Sequence, residues 1–228
     1  MSGPRARSTP GAIYDRQCTR CPRLAAFLER TRAQHPDYFA HPVPSFGAAR
    51  PRILLVGLAP GFHGANRTGR PFTGDFAGIL LYRTLHQAGL ATRAVSHSAS
   101  DRLRLRRARI ANAVKCVPPA NRPLPAEIRR CNAFLAAEIQ QLPEVVVYLA
   151  LGHVAHAAVL MALGLTRAHF PFAHGREHRL DATHWLLDSY HCSRYNTDTR
   201  RLTPVMFATV LRRACKRAGL PPPGRPRS

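Results

Sequence analysis

The sequence predicts an α/β protein in which a parallel sheet is covered by helices on both faces. Three observations predict it. Short apolar runs, such as 53–57 and 145–151, lack the polar alternation of a strand with one wet face. They alternate along the chain with stretches whose apolar residues recur near helical spacing. The unusual loops, rich in glycine, proline and polar residues, follow the ends of the apolar runs, and open parallel sheets bind ligands at the carboxyl ends of their strands.

The elements follow in order. Residues 53–57 (ILLVG) read as a buried strand. Residues 77–88 read as a helix, with Ile79, Leu80, Tyr82 and Leu85 near helical spacing. A second strand is expected at 109–115 and a second helix at 125–141, started by Pro125. Residues 145–151 (VVVYLAL) give a third strand and 153–163 a helix; 185–189 is a fourth short strand and 204–217 the last helix. There is no internal repeat. The chain has 228 residues, 45% of them hydrophobic, enough for one compact domain, read here as 13–220. The basic segment 1–12 and the Pro/Arg segment 221–228 read as disordered tails.

The charge is extreme. Lys and Arg total 34 against 12 Asp and Glu, a formal net charge of +22, and only Lys115 and Lys216 are lysine. Such a charge stores self-repulsion that a polyanion relieves as counterions leave it, so a nucleic-acid partner is expected. A genome that favours arginine codons is the plainer account of the same composition. The longest apolar run is too short to cross a bilayer and the N-terminus has no apolar signal segment, so a cytoplasmic protein without membrane contact is expected.

Six cysteines are present. Cys18 and Cys21 form a C-x-x-C, Cys116 ends the second strand, and Cys131 lies in the following helix. That spacing suits one tetrathiolate site holding zinc or an iron–sulfur cluster, with disulfides as the alternative. Cys192 follows His191 in a polar loop, and Cys215 is expected to be buried by the last helix.

Three segments carry candidate chemistry. The first, 57–75, supplies Gly57, Leu58, Ala59, Pro60 and Gly61, whose backbone can approach a ligand closely. No Gly-Lys-Ser/Thr follows, which disfavours an NTPase. Phe72, set among glycines, is a stacking platform or a core residue; Asp75 is a catalytic carboxylate or a helix N-cap. In the second segment, Asn112 inside an apolar strand needs its amide paired, and that edge can match a base. The third, 189–204, places His191 directly after a strand. Of the twelve histidines, His35, His41, His97, His174 and His178 are taken as surface residues.

Taken together, GLAPGFHGANRTGRPFTGD (57–75), NAVKCVPPANRP (112–123) and YHCSRYNTDTRRLTP (190–204), with the cysteine quartet, resemble the uracil-DNA glycosylase superfamily, specifically its family 5. Leu58 stands where the related family 4 carries an acidic residue. The resemblance implies a four-stranded α/β/α sandwich and a [4Fe–4S] cluster on Cys18, Cys21, Cys116 and Cys131, with zinc as the alternative occupant. It implies a monomeric, monofunctional N-glycosylase acting on flipped-out uracil in DNA, with hypoxanthine or xanthine as further substrates. Phe72 would stack on the base, Asn112 bond its Watson–Crick edge and His191 donate to uracil O2. Asp75 would orient water or stabilise the sugar cation. Arg67, Arg70, Ser193, Arg194 and Tyr195 would contact DNA, with Arg194 or Tyr195 filling the space left by the flipped base. Two positions depart from the family pattern: Cys192 replaces a proline and Arg200 a glycine. The alternative from another class is a non-catalytic iron–sulfur nucleic-acid binder.

Overall fold

The computed structural model describes residues 11–221; of the expected tails 1–12 and 221–228, residues 1–10 and 222–228 lie outside the described residues. The chain runs α1 (Pro22–Gln34), β1 (Phe46–Gly47), β2 (Ile53–Gly57), α2 (Ala65–Thr68), α3 (Phe76–Gln87), β3 (Ala108–Asn112) and α4 (Pro125–Gln140). It continues through β4 (Val147–Leu151), α5 (His153–Ala162), β5 (Glu177–Arg179), β6 (Trp185–Ser189), α6 (Arg194–Asp198) and α7 (Pro204–Arg217).

The sheet order is β1-β3-β2-β4-β6-β5. Its four central strands are parallel, and β1 and β5 add antiparallel edges, so the sheet has six strands where four were expected. The two extra strands are two and three residues long, too short to show a periodicity in sequence.

Alternation along the strands builds both layers. Ile53, Leu55, Ile110, Leu149 and Leu187 share a core with Leu81 and Leu85 of α3 and Phe207 and Leu211 of α7. Leu54, Val56, Ala111, Ala150 and Leu186 face the opposite way, against Leu135 of α4 and Ala155 and Val159 of α5. A third cluster gathers Leu24 and Leu28 of α1, Val114, Val117, Cys116, Cys131 and Phe134. The helix α1, absent from the sequence reading, buries only Leu24, Leu28 and Thr31. No helix among the described residues is long and apolar enough to cross a membrane.

A polar clamp fixes the far side of the sheet. Asp188, fully buried on β6, accepts from Nδ1 of His156 on α5 at 2.7 Å and faces Nε2 of His178 on β5 at 3.2 Å. The backbone N–H of Ala173 reaches the same carboxylate at 3.3 Å. His178 is therefore an interior residue, not a surface one, because a buried carboxylate needs donors on both oxygens. Removing the carboxylate strands two buried imidazoles. Asp188→Ala is expected to cost about 3 kcal/mol of stability, read as a lower denaturant midpoint at unchanged m-value.

Candidate active site

Three strand ends meet at one cavity of about 430 Å³. From the loop after β2 come Leu58, Ala59 and Gly61; from the turn before α3 come Phe72 and Asp75; Asn112 ends β3, and His191 and Arg194 follow β6. Pro60 is buried beside this lining. The cavity therefore unites residues up to 136 positions apart (58 to 194) at the carboxyl ends of the parallel strands, as a doubly covered sheet requires.

Close approach sets the floor. Phe72 has φ 54°, a left-handed conformation, and is buried. A Cβ on Gly57 would lie 2.6 Å from Asn112 Oδ1 and 2.7 Å from Phe72 Cζ, so only glycine admits both side chains there. Asn112 is 4% exposed, and its Oδ1 is one of two buried side-chain polar atoms among the described residues without a hydrogen-bond partner. An unmet buried acceptor costs about 1–3 kcal/mol, which a ligand donor at that point recovers.

Asp75 takes the capping role considered for it, and its second oxygen stays free at the cavity. Its Oδ1 caps α3 by accepting from Gly78 N at 2.9 Å. Its Oδ2 turns toward the 61–64 loop, where a Cβ on Gly64 would lie 2.5 Å away. Burial pushes the carboxyl above its ordinary value, partly offset by the amides of Gly78 and Ala77. His191 lies with its ring centroid 5.8 Å from that of Phe72, and burial drives its imidazole down to about 4, leaving it neutral near pH 7. Asn196 Nδ2 holds the His191 carbonyl at 2.8 Å.

The expected DNA contacts divide. Arg67 is exposed, and its Nε donates to the His63 carbonyl. Ser193 lines the cavity and caps α6 by accepting from Asn196 N. Arg194 lies at the cavity with its guanidinium 5.1 Å over the Phe76 ring, and Tyr195 is 70% exposed. Arg70 is a correction: it is 4% exposed, donating to Asp101, Ser96 and the Ala99 carbonyl, and is unavailable to a surface ligand. Cys192, placed in a polar loop by the sequence, is wholly buried, while Arg200 adopts φ 55°, the conformation that suits a glycine. Ala65, Phe76, Ala77 and Asn121 also line the cavity. Sequence gave no signal for the two alanines, whereas Asn121 in the second segment carried one.

Away from this cavity, Cys18, Cys21, Cys116 and Cys131 line a single enclosed space with Leu24, Val114 and Phe134. No disulfide joins any of the six cysteines. Burial first, and then the neighbouring thiols, raise the Cys116 thiol; burial raises Cys131 to about 11, against the Lys115 amide, which donates to its Sγ at 3.2 Å. Four thiols that crowd one another in an apolar space suit a shared cationic centre.

The fold and the site define a class. The sequence model of the uracil DNA glycosylase superfamily matches residues 44–215, and the chain belongs to that superfamily. Within it, the chain is 50% identical over 208 residues to the type-5 uracil-DNA glycosylase of Thermus thermophilus, covering 89% of this chain and 94% of the relative. The type-5 enzyme of Pyrobaculum aerophilum is 40% identical over 222 residues (92% and 96% covered). The type-4 enzyme of Thermotoga maritima is 37% identical over 136 residues, covering 59% and 57%.

The turn that presents Phe72 generates a prediction. A Cβ on Gly78 would sit 1.9 Å from the Phe72 carbonyl oxygen, a backbone atom with no room to yield. Gly78→Ala is expected to destabilise by about 3 kcal/mol, measured by chemical denaturation, although alanine is the better helix former.

Proposed function

We propose that the chain is a monofunctional DNA glycosylase that hydrolyses the N-glycosidic bond of uracil in DNA, the first step of base excision repair. Hypoxanthine and xanthine are its further substrates. The observation that carries the reading is the unpaired Asn112 Oδ1 on the wall of a cavity that also holds Phe72, His191 and Asp75. A base must leave the duplex to reach such a cavity. Phe72 stacks on it, and Asn112 Oδ1 accepts from the ring N–H of its Watson–Crick edge. The amides of Gly57 to Gly61, with Pro60 between them, hold the loop against the base.

As the C1′–N bond breaks, its electron pair passes to the base. His191, kept neutral by burial, donates to O2 and stabilises that charge without giving up its proton. Asp75 Oδ2 faces the sugar cation and orients the water that adds to C1′, taking up its proton. Arg67, Ser193 and Arg194 contact the DNA backbone, and Tyr195 enters the space left by the base. The active species is a monomer.

Base release from oligonucleotides carrying uracil, hypoxanthine or xanthine, in EDTA with alkaline cleavage of abasic sites, tests the reading. Asp75→Asn and His191→Ala are each expected to lower the single-turnover rate by about 10²–10³-fold. Native protein that binds lesion DNA but releases no base would sink the enzyme reading and leave a nucleic-acid binder. The pH profile follows from Asp75. Its carboxyl titrates above its ordinary value, so the rate falls on acidification at a pH above the usual aspartate range. Because His191 stays uncharged down to about pH 4, no histidine-like inflection is expected near neutrality.

The four cysteines hold a [4Fe–4S] cluster in this reading. Held by these four residues, a cluster would cross-link the 18–21 segment ahead of α1 to the loop after β3 and to α4. Purified protein is expected to be brown and to contain iron and sulfide in equal amounts. Cys116→Ser should lose that absorbance and lower the melting temperature, whereas zinc without sulfide would overturn the assignment.

A further inference from the structure

Segment 102–107 reads Arg-Leu-Arg-Leu-Arg-Arg. Leu103 and Leu105 are buried in the α3/α7 core, and Arg102, Arg104, Arg106 and Arg107 are exposed. The alternation is that of an extended chain, held to 90–92 by Thr92 N to the Arg104 carbonyl and Arg106 N to the Leu90 carbonyl, with a bridge between Ala91 and Leu105. Arg93, also exposed, joins the row beside Thr92. Arg104 and Arg106, alternate residues of the paired stretch, stand about 6.6 Å apart on extended geometry, close to the spacing of phosphates along a nucleic-acid strand.

None of these five arginines forms an ion pair among the described residues. The neighbouring acid, Asp101, is committed to Arg70. Arg102 and Arg107 both sit in left-handed backbone, at φ 61° and 56°. The row ends in a cleft of about 1030 Å³ lined by Arg52, Arg106 and Arg107. Arg50 also lines the cleft and pairs with Glu144 at 3.3 Å, but Arg52, Arg106 and Arg107 have no ion pair among the described residues.

The place of the row matters as much as its charge. Arg107 immediately precedes β3, and Asn112, on the base cavity, ends it. The row therefore leads away from the carboxyl ends of the strands to the opposite pole of the sheet, about 13 Å or more from Asn112. For one duplex to follow the row from the base cavity it would have to bend around the domain, at about 1–6 kcal/mol for a 40–90° bend, so a separate segment is the less strained occupant.

We infer that the Arg102–Arg107 row is a second, sequence-independent nucleic-acid surface that takes the phosphate backbone of a DNA segment other than the one docked at the base cavity. Two duplexes would then be held by one chain, a route by which the protein passes between segments without release. The inference rests on DNA as the partner of the base cavity, and it is tested without reference to base release.

The experiment is a bridging assay. A lesion duplex is immobilised, native protein is added, and capture of a labelled undamaged duplex is measured across a salt series, with sedimentation showing whether the protein is a monomer. Native protein should capture the second duplex. Arg104→Glu/Arg106→Glu/Arg107→Glu should abolish capture, while single-turnover base release from a short uracil duplex and the far-UV spectrum stay unchanged. The Lys triple variant should retain capture, and the Gln triple variant should lower the salt slope of second-duplex binding by about 0.9 per lost phosphate contact. The inference is overturned if native protein captures nothing, if the Glu variant captures as well as native (as capture through dimers would), or if short-duplex base release falls with capture. A protein that bridges yet releases no base would refute the proposed function and leave this surface standing.

Discussion

Phe72 is held in a left-handed conformation with its carbonyl against Gly78 and its ring against Gly57. A phenylalanine does not adopt that backbone alone, at a cost of roughly 1–3 kcal/mol. The surrounding polar frame enforces it. Tyr82 donates to the Pro71 carbonyl at 2.8 Å, Thr73 and Ser96 hydroxyls meet at 2.7 Å, and Arg70 Nη1 binds both Ser96 and Asp101. Burial opposes the charge on Asp101, but Arg70 and three backbone amides outweigh it and hold the carboxyl down to about 2. Arg70 thus serves the site from behind. The turn it braces delivers Phe72 to the cavity and starts α3 four residues later, with Asp75 as its cap. Stacking surface and carboxylate are fixed by one turn.

A chain with a net charge of +22 keeps its base cavity nearly free of committed charge. The surface arginines raise the local concentration of a polyanion and do nothing to choose among bases. Inside, His191 is neutral, the Asp75 carboxyl is raised by burial, and the Asn112 oxygen is unmet. Those are the conditions under which a hydrogen bond carries weight, because water does not compete for it. The strong buried ion pairs lie elsewhere: Glu138 binds Lys115 at 3.2 Å and Arg109 at 2.6 Å, joining α4 to β3 and its C-terminal loop beside the cysteine cavity.

The parts of the fold legible in the sequence are those with a period. The four central strands and helices α3, α4, α5 and α7 carry enough consecutive residues for burial to print a pattern, and they lie within a few residues of their expected bounds. What is short, or determined by partners, left no trace. The strand β5 is three residues with a charge at each end, and α1 shows a stripe of only three buried positions. The gathering of Asn112, Phe72, Asp75 and His191 was legible because each sits where a strand ends or a glycine-rich turn begins. The burial of Arg70 and His178 was not, since an arginine or histidine inside a domain is identified by its acid, here Asp101 and Asp188, and sequence does not say which acid that is.

The cavity wall bears on which bases enter. Ala59, Gly61, Ala65 and Ala77 line it, and a Cβ on Gly61 would meet Asp75 Oδ2 at 3.3 Å, so that wall is low. A wall of small residues discriminates poorly by size, and size is a weak criterion in any case, giving about 10–200-fold per methylene. In the proposed reading, selection then falls to the edge that faces Asn112. Its unmet Oδ1 requires a donor: uracil, hypoxanthine and xanthine each present a ring N–H flanked by a carbonyl. Cytosine and adenine present a bare ring nitrogen there, which leaves the oxygen unpaired and sets two acceptors face to face. Leaving buried polar groups unpaired discriminates by about 10⁴–10⁵. In the proposed reading a pocket built this way is permissive toward ring size, and its unmet asparagine oxygen turns away cytosine and adenine but not thymine or guanine, whose ring N–H groups match it as well as that of uracil.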